Sequence, residues 1–215
     1  MRNPQLLPEV FDGFSAESAR VKYGSLKVLR IISEKKPEVV YPEIHRFFQL
    51  LDSENTLLKW GAIIIIGNLA AVDSEGRIDH ILPRYLEPIS GSVMITANNV
   101  IGGAGKIALA KPRLADRIAR ALLPVETAHY QTAECRNVSL GCAIDALDGA
   151  FENLREPQPV IEFVKRQLRN SRNAVRKKAA RFLERHGGDS TNRRLESRQN
   201  PPTGKSASRT YARSR

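Results

Sequence analysis

The segment Gly103-Ala104-Gly105-Lys106-Ile107-Ala108 has the G-x-G-x-x-A spacing with which a glycine turn and a helix N-terminus hold a pyrophosphate. That chemistry needs a strand before the turn and a second strand ending in an acid about twenty residues on. Val93 to Ile101 is β-compatible, but Asp116 opens a helical segment and no βαβ pattern surrounds the motif. A Walker loop is excluded, since Val100 replaces its first glycine and Ile107 stands where Ser or Thr would hold magnesium. The glycines read better as close helix packing.

Other reactive types are equally sparse. His45, His80, His129 and His186 form no H-x₃-H or H-E-x-x-H set, so they read as surface or capping residues. Cys135 and Cys142 are too few for a disulfide framework or a zinc site. Seven residues apart, they share a helix face if the helix begins early enough, and they read as small buried hydrophobes. No catalytic constellation, metal site or cofactor is implied.

The elements that position these residues recur with a period of about forty. Lys22-Tyr23-Gly24-Ser25-Leu26 corresponds to Lys59-Trp60-Gly61-Ala62-Ile63, and Ser139 to Ala143 and Lys177 to Arg181 fit the same frame. Asn98-Asn99-Val100 fills the third copy, giving anchors at 25, 62, 100, 142 and 180. Each anchor follows a shorter amphipathic segment: Leu7 to Phe14, Tyr41 to Leu51, Ile81 to Ile89, Leu114 to Leu123, and Pro159 to Leu168. Pro8, Pro42 and Pro83 sit near the starts of the first three, where a missing amide donor costs little. Each unit reads as helix, turn, helix, with N-cap candidates in Asp52-Ser53-Glu54-Asn55. Ile63 to Ile66 is a β-branched run, yet Leu57, Leu58, Gly61, Ala62, Ile65, Ile66 and Leu69 keep helical spacing around it. A buried helix is expected there. In the third copy, three glycines within Ile101 to Gly105 predict a kink or break.

On these motifs the chain resembles HEAT-repeat proteins, with armadillo-type repeats as the close alternative, over roughly residues 5–187. Its most similar copies are Tyr41 to Val72 and Pro159 to His186. The resemblance implies an all-α, right-handed solenoid of about five helical hairpins. It carries little about activity. HEAT-repeat deoxyhypusine hydroxylases use paired His-Glu dipeptides, and this chain has none. HEAT-like DNA glycosylases have a basic groove lined with aromatics, an Asp and arginines. Here Trp60 is the sole tryptophan and Tyr23 its counterpart one repeat earlier, and no catalytic residue carries over.

Charge is the most informative feature. Residues 1–164 hold 18 Lys and Arg against 20 Asp and Glu, whereas residues 165–215 hold 16 against 3. The whole excess of +11 therefore lies in the last quarter, which suggests an anionic partner. In Ala174 to His186, Val175, Ala179, Phe182 and Leu183 form an apolar stripe opposite Lys177, Lys178, Arg181 and Arg185. Arg166, Arg169 and Arg172 approach from the preceding helix and turn, and Glu184 is the only acid between Lys165 and His186. Residues 188–215, rich in Ser, Pro, Asn and Arg, read as a disordered basic tail.

Second helices line the inner surface of HEAT solenoids, so the resemblance places Lys22 and Lys59 along a groove, with Trp60, Asn98 and Asn99 beside them. The expected function is a non-enzymatic binding or scaffold protein whose concave surface engages a protein partner. The basic last repeat and tail would hold an anionic partner. Direct nucleic-acid binding is the alternative, and base excision a more distant one. The longest apolar run, Trp60 to Val72, is 13 residues and too short to span a bilayer, and the start lacks a signal-peptide pattern. A cytoplasmic, reducing setting is the expectation. Oligomeric state is not readable.

Overall fold

A computed structural model of the chain describes residues 6–187. Among these residues every regular element is helical and no strand occurs. In chain order the helices are α1 (Leu6–Asp12), α2 (Ala19–Lys35), α3 (Pro37–Val40), α4 (Ile44–Leu50), α5 (Thr56–Leu69) and α6 (Arg77–Leu86). They continue with α7 (Met94–Ala110), α8 (Ala115–Leu122), α9 (Ala133–Ala150), α10 (Gln158–Gln167) and α11 (Asn173–His186). The long helices α2, α5, α7, α9 and α11 form a row in which each packs on the next. A shorter helix flanks each one: α1 on α2, α4 on α5, α6 on α7, α8 on α7 and α9, and α10 on α11. One apolar cluster runs the length of this row, from Phe11 to Phe182. No single hairpin could bury that much surface alone.

Local chemistry explains the boundaries. Asn55 starts α5 by accepting a hydrogen bond from the Leu58 amide, and Thr132 does the same for the Cys135 amide at α9. The isoleucine run lies inside α5 as expected, with Ile63, Ile65 and Ile66 buried. Its β-branching is tolerated because burial of each side chain is worth about 1.5–3 kcal/mol, more than the helix-propensity penalty.

Two expectations are corrected. Pro83 does not open its helix but stands inside α6, which begins at Arg77. The earlier start comes from Asp73, whose carboxylate accepts hydrogen bonds from the Arg77 and Ile78 amides. The glycines of the third copy do not break α7, which is continuous from Met94 to Ala110. They serve contact instead. Gly103 lies against Gly67 and beneath Tyr85, and Gly105 lies against Ala146. Close packing outweighs the cost of about 1 kcal/mol per helical glycine. Met94 also begins a helix where the dinucleotide pattern needed a strand.

No helix among the described residues is long and apolar enough to cross a membrane. The tail reading for residues 188–215 lies outside the described residues.

Candidate functional site

The row of long helices leaves a groove of about 500 Å³ between α2, α5 and α7. From α5 come Leu57, Trp60 and Ile64, from α7 Ile95 and Asn99, and from α2 Tyr23, Leu26, Lys27 and Arg30. Leu57 is 45% exposed and Ile95 48% exposed. That much apolar surface concentrated in one concavity is the usual sign of a binding site rather than of scattered surface residues. The aromatics are held in place. The Trp60 indole N–H donates to the Thr96 hydroxyl at 2.8 Å, and the Asn55 amide donates to the Tyr23 hydroxyl at 3.0 Å. The first bond joins α5 to α7 and the second joins the start of α5 to α2, so both rings tie neighbouring long helices and also border the groove. No carboxylate among the described residues lines it.

The other expected groove residues are distributed differently. Asn98 and Asn99 are adjacent on α7 but border different hollows. Asn98 faces one of about 350 Å³ between α7 and α9, beside Lys106, Cys142 and Asp145. Its side-chain oxygen is buried without a hydrogen-bond partner among the described residues. Lys59 borders a third cavity of about 330 Å³ with Asp52, Arg84 and Glu87, apart from the one that Trp60 lines. Lys22 is partly buried on α2. Lys27, Arg30, Leu57, Ile64 and Ile95 escaped the sequence reading. Leu57 was legible as apolar, yet its helical phase assigned it to the core.

The basic ridge meets acids that its own segment lacks. Arg166 is bidentate to Glu126, with the Gln167 amide on the same carboxylate. Arg172 pairs with Glu134, Lys178 with Asp145, and Arg185 with Asp148. The partners lie 33 to 40 residues earlier in the chain. Much of the ridge therefore ties α10, α11 and the turn between them to α9 and the segment before it. Arg169, Lys177 and Arg181 enter no ion pair among the described residues. Arg169 borders an open hollow of about 760 Å³ at the C-terminal end of the row, with Leu168 and Leu183.

A buried polar cluster stands between the loops that follow α5 and α7. Lys111, 4% exposed, and Asp73, 5% exposed, form an ion pair at 2.8 Å. Tyr41 donates to the same carboxylate at 2.7 Å, and Asp79 joins from α6, with Arg113 on its outer oxygen. Burial alone would raise the Asp73 pKa, but hydrogen bonds from Lys111, Tyr41 and the Ile78 amide outweigh it and lower the value. Tyr41 is pushed up to about 12, by burial and by the Asp73 carboxylate beside it. Asp73, Lys111 and Tyr41 are all paired, which is the pattern of a structural clamp, while the inner oxygen of Asp79 is buried with no hydrogen bond among the described residues and has only the Lys111 ammonium beside it at 3.3 Å.

His45, His80 and His129 are exposed, while His186 packs on Phe151 at 4.2 Å and hydrogen-bonds Asp148 at 2.8 Å. No group of three or more His, Cys, Asp or Glu among the described residues could hold a metal ion. Cys135 and Cys142 both lie on α9, but Cys135 packs with Ala97 and Tyr130 while Cys142 adjoins the main core. Burial raises the Cys142 thiol pKa.

No protein-family model and no curated protein matches the chain. Among solved structures, the crystal structure of an engineered protein is similar at a TM-score of 0.54 and 13% identity, over 82% of this chain and 77% of that one. That similarity concerns the fold alone.

Proposed function

We propose that the chain is a HEAT-like, right-handed α-solenoid that acts as a non-enzymatic binding or scaffold protein. The exposed face of its long-helix row engages a segment of a protein partner. The groove between α2, α5 and α7 carries this reading, because Leu57 and Ile95 remain about half exposed in a concavity floored by Trp60 and Ile64. The inter-repeat ion pairs add support. They give the last repeat a structural use for Arg166, Arg172, Lys178 and Arg185 that needs no polyanion.

The test is quantitative affinity capture with the full chain and with a Leu57→Asp/Ile95→Asp variant of equal thermal stability. Proteins retained by the first and lost from the second are expected. Identical profiles would contradict the reading.

Direct nucleic-acid binding is the second reading, favoured by Arg169, Lys177 and Arg181, which make no ion pair among the described residues, and by the basic composition beyond residue 187. It predicts full-chain binding to duplex DNA or RNA whose log K falls by about 0.9 per phosphate contact with log salt on duplex DNA.

A further inference from the structure

We infer that the groove between α2, α5 and α7 takes a protein segment in which apolar side chains are flanked by carboxylates. This rests on the segment-binding reading above and supplies the chemistry of the segment. Three features of the groove are complementary to such an occupant. Its floor and walls, Leu57, Trp60, Ile64 and Ile95, accept apolar side chains. Trp60 is already fixed by its hydrogen bond to Thr96, so little ordering is needed when a ligand packs on the ring.

The second feature is charge. Lys27 and Arg30 stand three residues apart on α2, both exposed, and neither enters an ion pair among the described residues. No carboxylate among the described residues lines the groove, although residues 1–164 as a whole carry a slight acidic excess. Glu34 follows one turn beyond Arg30, outside the lining. The neighbouring hollow between α7 and α9 carries both signs by comparison, since Lys106 and Asp145 both line it. An acidic segment would therefore be drawn to this groove, and a basic one repelled.

The third feature is Asn99. It lines the α7 wall and makes no side-chain hydrogen bond among the described residues, so its amide is free to pair with a peptide backbone. An apolar slot, an unpaired dibasic edge and a free amide together match the side chains, the charges and the main chain of one segment.

Trp60 is the sole tryptophan in the chain, so its emission reports on this groove and no other. The test titrates the full chain with a short blocked peptide of leucines and glutamates, and with its counterpart in which every glutamate is lysine. Dye anisotropy on each peptide gives affinity, and Trp60 emission gives location. The acidic peptide should bind with a change in Trp60 emission. A Lys27→Glu/Arg30→Glu variant, checked for unchanged helicity and thermal midpoint, should lose about tenfold or more of that affinity and gain for the lysine peptide. Equal binding of both peptides at Trp60 would overturn the inference while leaving segment binding intact. If neither peptide changes Trp60 emission, or if single-stranded RNA changes it and the acidic peptide does not, the inference is overturned. The capture comparison at Leu57 and Ile95 then decides separately whether the wider reading survives.

Discussion

A Cβ placed on Gly67 of α5 would stand 2.8 Å from the Cα of Gly103 on α7. Real Cβ atoms are not found so close, so the two helices cross backbone to backbone at this point. On its other side Gly103 lies beneath the Tyr85 hydroxyl, which donates to the Ile63 carbonyl at 2.9 Å. Gly67→Ala or Gly103→Ala must push α5 and α7 apart or displace Tyr85. Overpacking of this kind costs about 1–3 kcal/mol. Gly102→Ala, one residue away with nothing within 4 Å of its Cβ, should instead stabilise α7 by about 0.5–1 kcal/mol. Denaturant melts of the three variants check the contrast in sign.

The clamp at Asp73 predicts both a mutational and a pH effect. Lys111→Ala leaves a buried carboxylate without its cation and should destabilise the fold by about 3–5 kcal/mol. The folded Asp73 pKa lies below its ordinary value, so its contribution is present above the unfolded pKa of about 4. It is lost as pH falls through the folded value. Tyr41 works in the opposite sense. Its folded pKa of about 12 lies above the unfolded value of about 10, so its contribution holds below pH 10 and fades as pH rises toward 12. Urea midpoints across pH, for the wild type and Tyr41→Phe, should separate the two limbs.

The ion pairs at the C-terminal end of the row are open to a double-mutant cycle. Arg166→Ala and Glu126→Ala should each lower stability modestly, with a coupling of about 0.2–1 kcal/mol at low salt that shrinks as salt rises. A zero coupling would mean that the pair has no share in holding α10 against the segment between α8 and α9.

Trp60→Phe keeps a ring in the groove but removes the donor to Thr96. The expected cost is about 0.5–1.5 kcal/mol, measured by thermal melting. A larger loss would indicate that the indole also carries packing between α5 and α7 that phenylalanine cannot replace.

Much of this architecture is legible in the chain because helical period acts locally. Leu58, Gly61, Ala62, Ile65, Ile66 and Leu69 fall on one stripe of α5, and all are buried. Leu57 belonged to the same apolar list yet faces the groove, since hydrophobicity alone does not separate a core residue from one awaiting a partner. The start of α6 was hidden for another reason. It depends on Asp73, four residues upstream, whose geometry is fixed by Lys111 from the next unit. The pairing of Arg166 with Glu126 was equally invisible, because it depends on how two segments forty residues apart pack together. Gly103 showed its purpose only when Gly67 was placed opposite it.

The central claim is that a protein segment occupies the exposed face of the long-helix row. Photo-crosslinking in cells tests it directly, with a photoreactive phenylalanine analogue replacing Ile95 in the full chain and, as a control, Arg117, which is exposed on α8. The account predicts protein adducts at position 95 that are absent at position 117 and that decline when Lys27 and Arg30 are reversed in charge. Nucleic-acid adducts at position 95, or the same adducts at both positions, would contradict it.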